Sequence, residues 1–202
     1  MEQRYSIRRW AEREGWESIP VLKIAQPYLN TPDDVHAFGQ IAFCDQAILV
    51  HLWAEQPEIR AVEYGPLGLP YQDSCLEFFL KPMADDPRYM NIEFNFNKCV
   101  YFGIGTNGDD LQRIVLEDVD SVFSPETKRT EKGWEITYEI PLTVLRKYFP
   151  DLALFPGKEI RANCFTCSDL AEKPYYFSWN LVYGEPFTFH RSECFGVMTF
   201  SE

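Results

Sequence analysis

The sequence predicts an all-β fold, namely a two-sheet antiparallel β-sandwich of jelly-roll or immunoglobulin-like type with at most one short helix. Two segments alternate strictly between polar and apolar residues, which is the period of a half-buried strand. Around nine short strand patterns follow one another, and 14 prolines and 11 glycines separate them. An aromatic fraction of 16% supplies large side chains for the space between two sheets.

The clearest strand runs from Tyr89 to Phe96. Its polar positions are Tyr89, Asn91, Glu93 and Asn95, and its apolar positions are Met90, Ile92, Phe94 and Phe96. The segment from Trp134 to Ile140 alternates in the same way. Strands of this kind are typical of antiparallel sheets with one solvated face, so we expect the polar rows to face water.

Seven further segments have strand character. They are Ala47 to Trp53, Ser74 to Leu80, Lys98 to Ile104, Arg113 to Leu116, Glu159 to Phe165, Tyr175 to Trp179 and Phe195 to Phe200. The one helix candidate runs from Pro141 to Tyr148, with proline in its first turn. Because no linker or change of composition divides the chain, residues 1–202 are expected to form a single domain.

The charge balance excludes some classes of partner. A net charge of -12 disfavours nucleic acid and anionic membrane surfaces, which attract basic proteins. The first residues lack an apolar signal core, so we expect a cytoplasmic protein, or a secreted one if a leader has been removed. The six cysteines lie mostly in apolar strand patterns and are expected to be reduced core residues.

Two motifs match functional patterns without the context that those functions need. Gly103-Ile-Gly-Thr-Asn-Gly108 has the glycine spacing of a dinucleotide-binding loop, but no helix pattern follows, and Asn107-Gly108 is a hairpin-turn signal. Cys164-Phe-Thr-Cys167 has the spacing of half a zinc site or of a redox pair, but no second such pair exists. We therefore interpret the first motif as a turn and do not predict zinc from the second.

A series of motifs nevertheless resembles the family 9 carbohydrate-binding modules, which are DOMON-like β-sandwiches. These motifs are Tyr71, Asp73 to Glu77, Asn91 to Asn97, Trp134 to Pro141, Arg161 to Asn163, Ser178-Trp179 and Phe189 to Gly196. The order of the motifs is more specific than any one of them. The resemblance implies non-catalytic binding of a saccharide or of its terminal sugar unit.

The resemblance also implies which residues bind the sugar. In this family two tryptophans enclose a sugar ring, while carboxylate, amide and guanidinium groups hold its hydroxyls. Tyr71 stands at the first ring position, and we favour Trp179 for the second on account of its size, with Phe187 and Phe189 as alternatives. The polar candidates are Glu77, Asn95 and Arg161.

Two other function classes stay open. A glycan-processing enzyme would need a pair of carboxylates, such as Glu77 with Glu93, on either side of the scissile bond. A structural or protein-interaction sandwich would have kept the fold and lost the sugar site. No organic cofactor is expected, and the oligomeric state is not predicted.

Calcium is a further open alternative. The acidic clusters Asp85-Asp86, Asp109-Asp110 and Glu117-Asp118 with Asp120 offer the oxygen ligands that calcium prefers, although none has EF-hand spacing. Because family 9 modules carry structural calcium in some members, the resemblance adds weight to this alternative. Exposed loop acids are the interpretation that we favour.

Overall fold

The fold is built almost entirely from β-strands, as the sequence predicts. A computed structural model describes residues 2–10, 15–29 and 31–202. The strands are β1 (Arg4–Arg9), β2 (Leu22–Ile24), β3 (Gln26–Leu29), β4 (His36–Phe43), β5 (Ala47–Glu55), β6 (Cys75–Lys81), β7 (Tyr89–Asn95), β8 (Val100–Gly105), β9 (Gln112–Arg113), β10 (Glu126–Arg129), β11 (Gly133–Pro141), β12 (Glu159–Ser168), β13 (Tyr175–Ser178) and β14 (Gly196–Ser201).

The strands form one continuous hydrogen-bonded sheet, which corrects the predicted division into two antiparallel sheets. The path runs β10-β11-β5-β4-β1-β14-β12-β6-β7-β8-β9, and β13, β2 and β3 pair at its sides. Strand β1 connects the two halves of this path, because it lies parallel to both β4 and β14. The sequence analysis missed this N-terminal strand, so it also missed the connection between the two halves.

Two short helices occur in the described residues, where at most one was predicted. The expected one is α2 (Leu142–Tyr148), which begins directly after Pro141. The other is α1 (Val119–Phe123), whose first turn is capped by Asp118 as its side chain accepts a hydrogen bond from the Ser121 backbone N–H. Acidic residues that the sequence analysis assigned to a loop therefore start a helix.

The core lies between the two halves of the curled sheet. Phe94 on β7 and Tyr138 on β11 have ring centroids 5.0 Å apart, although these strands lie far from each other along the sheet path. Trp134 and Phe78 are fully buried in the same core. The apolar rows of the predicted strands thus pack against each other, as the alternation requires.

The opposite, polar row of β7 is also buried, which corrects the expectation of a solvated face. Asn91 and Asn95 are fully buried, and Glu93 exposes only 3% of its surface. A second apolar cluster covers this face, and Phe189 and Phe195 of the chain's last third belong to it. The alternation was read correctly, but the C-terminal loop that excludes water cannot be inferred from it.

Several smaller predictions are confirmed. The residues between β8 and β9 form a turn in which the Asn107 side chain accepts a hydrogen bond from the Asp109 backbone N–H, so the glycine motif precedes no helix. All six cysteines are free and buried. By contrast, the predicted strand from Arg113 to Leu116 is wrong beyond its first residue, because the observed strand β9 covers only Gln112–Arg113. Within the described part of the chain, no helix has the length and apolarity needed to cross a membrane.

Candidate functional site

A row of side chains crosses four neighbouring strands on the face opposite the main core. Tyr101 on β8 lies opposite Glu93 on β7, Glu93 lies opposite Glu77 on β6, and Glu77 lies opposite Phe165 on β12. Because paired residues in a sheet point to the same side, all four side chains share one face. Neighbouring strands are about 4.8 Å apart, so two carboxyl groups lie side by side between two rings.

Tyr101, Glu93 and Glu77 of this row lie on the floor of a cavity of about 280 Å³. The C-terminal loop covers part of it through Phe187, Thr188, Phe189 and His190. The other lining residues are Tyr71, Glu77, Phe79, Glu93, Tyr101, Gly108, Leu111, Cys167, Asp169 and Tyr176. Aromatic and acidic side chains therefore converge in one concave site, although they lie up to 119 positions apart in the sequence.

The two carboxyl groups are held away from water. Glu77 is 2% exposed and Glu93 is 3% exposed. Burial raises the pKa of both groups, and the neighbouring Glu77 raises the pKa of Glu93 further. Two like charges this close do not ionise together at low cost, so the pair holds at least one proton well above the pH at which a free carboxyl loses it.

Two oxygen atoms on this face of the sheet have no protein partner among the described residues. The Asn91 side chain donates a hydrogen bond of 2.6 Å to Glu93 Oε1, but Glu93 Oε2 and Asn91 Oδ1 are buried and unpaired. Gly103 makes room for the amide, because a Cβ atom there would lie 2.4 Å from Asn91 Oδ1. Buried acceptors without partners are costly, so Glu93 Oε2, whose residue lines the cavity, is suited to a ligand that donates hydrogen bonds.

Tyrosines form the first aromatic wall. Tyr71 and Tyr101 have ring centroids 6.2 Å apart. The Arg113 guanidinium lies 4.5 Å from the centre of the Tyr101 ring and donates to the Gly68 and Val100 carbonyls, which fixes it there. The Tyr71 carbonyl accepts a hydrogen bond from the Asp169 backbone N–H. Both rings are thus anchored to neighbouring elements.

The C-terminal loop supplies the second aromatic wall. Phe187 stacks on Tyr28 with centroids 4.1 Å apart and meets the edge of Tyr176 at 4.7 Å. The Tyr28 hydroxyl donates to the Gly184 carbonyl, which ties β3 to this loop. Phe187 still exposes 37% of its surface, so an apolar ring remains available at the cavity.

His190 closes one end of the cavity in neutral form. Its Nδ1 atom lies 2.8 Å from the Tyr89 hydroxyl, and its ring stacks on Phe79 with centroids 5.2 Å apart. Burial lowers the pKa of His190 to about 4. The ring is therefore an uncharged hydrogen-bonding wall at neutral pH.

Comparison with models of protein families shows to which family the chain belongs. The model of carbohydrate-binding family 9 matches residues 13–200, which is nearly the whole chain. The chain belongs to carbohydrate-binding family 9. The prediction of a carbohydrate-binding module is thereby confirmed. A search of curated proteins found no match.

Solved structures share the fold at low sequence identity. A candidate carbohydrate-binding protein from Bacteroides uniformis is similar with a TM-score of 0.81 and 21% identity over 100% of both chains. A family 9 module from Caldicellulosiruptor kristjanssonii in complex with cellotriose gives a TM-score of 0.67 and 14% identity, covering 98% of this chain and 94% of the other. The same module with glucose gives the same TM-score and identity, with 98% and 96% covered.

Two of the five predicted family 9 site residues line the cavity, namely Tyr71 and Glu77. Trp179 does not. It is 4% exposed, belongs to the main core, and meets Tyr5 edge-on with centroids 6.4 Å apart. Trp179 comes directly after β13 and continues its alternation. Its ring therefore points to the core, whereas Tyr176 points to the cavity.

Asn95 and Arg161 also lie outside the cavity. Asn95 is fully buried and donates hydrogen bonds to Asp73 and to the Glu63 carbonyl, so all of its polar atoms serve the fold. Arg161 is exposed and pairs with Glu2. Neither the strand parity that favoured Asn95 nor the donor set that favoured Arg161 shows which polar side chains find partners within the protein.

Other aromatic and concave regions of this family 9 chain fit a sugar less well. A cleft of about 590 Å³ is larger, but its one aromatic lining residue, Tyr175, is 5% exposed. On the outer face, Trp53 stacks between Phe38 and His51 at 5.2 and 5.0 Å. His51 is also held by Glu135, so this row is already packed together.

The acidic clusters do not converge on a calcium site. Asp86 forms an ion pair with Arg88, Asp110 accepts hydrogen bonds from Thr106, and Asp120 pairs with Lys98. In the part of the chain that the structure describes, no three carboxylates lie close enough together to share an ion. These residues do not fit a calcium site made of side-chain carboxylates, and structural calcium, which the sequence analysis left as an alternative, stays untested.

Sequence reasoning missed several members of the site. Glu93 was weighed only as a catalytic partner of Glu77, and Tyr101, Tyr176 and Asp169 were not considered. A signal for Glu93 and Tyr101 was present, since both belong to polar positions of predicted strands next to the strand of Glu77. Asp169 follows the end of β12, and no strand pattern covers it.

Proposed function

We propose that this cavity binds the terminal unit of a neutral saccharide without catalysing its hydrolysis. The observation that carries the proposal is the row of buried acceptors between two aromatic walls. A pyranose ring has apolar C–H faces that pack on aromatic rings and hydroxyls that need donors and acceptors. The floor and the walls present these two kinds of surface within one cavity of about 280 Å³.

The carboxyl pair suits hydroxyl groups in particular. A hydroxyl both donates and accepts, and a carboxyl pair that shares a proton also offers both functions. Glu93 lines the cavity, and its unpaired Oε2 atom would accept a hydrogen bond from a ligand hydroxyl. With a net charge of -12, the protein favours a neutral ligand over an anionic sugar.

Similar structures suggest which sugars to test first. The family 9 module from Caldicellulosiruptor kristjanssonii was solved with cellotriose and with glucose. We therefore take glucose and short glucans as the first candidates. In place of Trp179, we assign the second stacking ring to Phe187, which faces the cavity and keeps part of its surface exposed.

The arrangement of the two carboxyl groups supports binding over catalysis. A glycosidase places its carboxyl groups on either side of the scissile bond. Glu77 and Glu93 lie directly opposite each other on adjacent strands and point to the same side of the sheet. Both would contact a bound sugar from one side, which is suited to holding hydroxyls.

Titration calorimetry tests the proposal. The purified protein is titrated with glucose, cellobiose, cellotriose, xylobiose and galactose, with and without calcium. We expect saturable binding of at least one sugar that is lost in Tyr71→Ala and Phe187→Ala. Phe155→Ala is the matched control, because Phe155 is 52% exposed and does not line the cavity.

Two results would overturn the proposal. One is the absence of binding of any of these sugars to a folded sample. The other is equal weakening by Phe155→Ala and Phe187→Ala. Either result would favour a structural or protein-interaction role for the fold.

A further inference from the structure

Three buried donor atoms meet beside the cavity, which two of the three residues line. Cys75 and Cys167 are directly opposite each other on β6 and β12, and Glu77 lies two residues beyond Cys75 on the same face. One ligand atom of each residue lies within 4.8 Å of the other two. The Cys167 thiol donates a hydrogen bond of 3.0 Å to Glu77 Oε1. All three side chains are at most 2% exposed.

This cluster is not the one that the sequence motif suggests. Cys164 and Cys167 are three positions apart on β12, so they point to opposite faces of the sheet. Cys164 belongs to the main core, whereas Cys167 lines the cavity. The partner of Cys167 comes from β6 instead, 92 positions earlier in the sequence.

We propose that Cys75, Glu77 and Cys167 form a binding site for a thiophilic divalent cation, for which Zn²⁺ is the best match. Two thiolates and one carboxylate form a ligand set that zinc accepts, whereas calcium and magnesium prefer oxygen ligands alone. Two sulfur atoms that each lie about 2.3 Å from a tetrahedral zinc ion are about 3.8 Å apart. The observed spread of less than 4.8 Å therefore needs only small shifts.

The cavity gives such an ion an entry route and an open coordination position. Glu77 and Cys167 line the cavity, so an ion reaches them from solvent. The unpaired Glu93 Oε2 atom belongs to the residue directly opposite Glu77. A fourth ligand on the cavity side would be water, a ligand hydroxyl or this oxygen. The proposal concerns the three protein ligands and does not depend on sugar binding.

Binding at this site requires the release of protons. Thiols bind zinc as thiolates, so Cys75 and Cys167 would each lose a proton to solvent, and Glu77 would lose one where it is protonated. Zinc affinity should consequently rise with pH.

The test uses reduced protein that a chelator has freed of metal. Zinc is titrated in competition with a chromophoric chelator, and cobalt is added separately as a spectroscopic probe. We expect one Zn²⁺ per chain, release of about two protons or more per ion, and thiolate-to-cobalt charge-transfer absorption. Cys167→Ala and Cys75→Ser should each weaken zinc binding at least about 100-fold, since even indirect partners of a metal contribute 10 to 100-fold.

Cys164→Ala is the matched control, because this thiol is buried on the same strand but faces the core. We expect it to keep zinc affinity and the cobalt spectrum. The proposal is overturned if the wild type binds no zinc, or if Cys164→Ala weakens binding as much as Cys167→Ala. Glu77→Gln keeps both thiols and gives an independent result. Its cobalt charge-transfer absorption should persist while its zinc affinity falls. An unchanged zinc affinity would contradict the assignment of Glu77 as a ligand.

Discussion

Replacement of Trp179 by alanine separates a role in the core from a role in sugar binding. The ring is 4% exposed and meets Tyr5 edge-on. It also packs against Gly196 so closely that a Cβ atom there would lie 2.6 Å from it. Trp179→Ala would therefore leave a large void that the surrounding sheet cannot fill.

The expected magnitude follows from this burial. Truncation of a buried Phe or Trp to Ala costs about 3–5 kcal/mol of unfolding free energy. For a domain of this size, about 1 kcal/mol corresponds to roughly 2–4 °C in Tm. We expect Tm to fall by about 6–20 °C, while sugar affinity measured below the transition changes by no more than about twofold, since the two sites share no partner.

Phe187→Ala should show the opposite pattern. Phe187 is 37% exposed and contacts Tyr28 and Tyr176, so we expect a stability loss near 1 kcal/mol. Its affinity for the sugar should fall by about 1–3 kcal/mol, by analogy with aromatic stacking on nucleobases. That loss is about 5- to 150-fold in Kd.

Differential scanning calorimetry and titration calorimetry on the same samples measure both effects. The reasoning is refuted if Trp179→Ala keeps its Tm and loses sugar binding. It is equally refuted if Phe187→Ala binds sugar as the wild type does while Trp179→Ala does not.

Three further predictions follow from buried polar groups. Glu93→Gln should weaken sugar binding about 2- to 10-fold, because the amide puts a donor where one carboxyl oxygen stands and a hydrogen bond between neutral groups contributes about 0.5–1.5 kcal/mol. The same change should stabilise the fold increasingly as pH rises, since burial raises the pKa of Glu93 and ionisation of the wild-type carboxyl costs stability at high pH. Urea unfolding that shows a loss at pH 8 would contradict this. His190 has a pKa of about 4 in the folded protein, against 6.5 when free. Between these two pH values the unfolded state binds more protons, so the free energy of unfolding falls by about 2.5 kcal/mol from pH 7.5 to pH 4.5. In His190→Gln this contribution should disappear, and an unchanged pH slope in urea unfolding would rule the explanation out. Asp73 is fully buried and accepts hydrogen bonds from Arg60, Asn95 and two backbone amides. Asp73→Ala should therefore lower the free energy of unfolding by about 3–5 kcal/mol. A loss below about 1 kcal/mol in urea unfolding would show that the fold does not need this network.

The alternation of side chains predicted much of the fold. The segments from Tyr89 to Phe96 and from Trp134 to Ile140 are strands with the expected apolar rows in the core. Strand β1 escaped prediction because its stabilising partners, β4 and β14, are distant in sequence and parallel to it. Its two apolar residues, Tyr5 and Ile7, alternate with polar ones, but this pattern is too short to show which strands it pairs with.

The sequence predicted those site residues that lie on one strand or at a fixed spacing from it. Glu77 follows from strand parity and from the family motif around it, and Tyr71 follows from its spacing to Glu77. Trp179 was favoured for its size, but size also makes a tryptophan suited to a core, and only the tertiary structure distinguishes these roles. Phe187 was an alternative, because a loop residue has no periodicity that shows where it points.

The predictions that concern context stay open. Three statements are still expectations from the sequence: that residues 1–202 form one domain, that nucleic acid and membranes are not partners, and that the protein is cytoplasmic, or secreted if a leader has been removed. They are independent of the cavity, and no result at the cavity bears on them.

A crystal structure of this protein grown with cellotriose is the most direct test of the central claim. We predict a terminal sugar unit between Tyr71 and Phe187, with a hydroxyl within hydrogen-bond distance of Glu93 Oε2. Sugar bound instead at the outer row of Phe38, Trp53 and His51, with the cavity unchanged, would contradict the account.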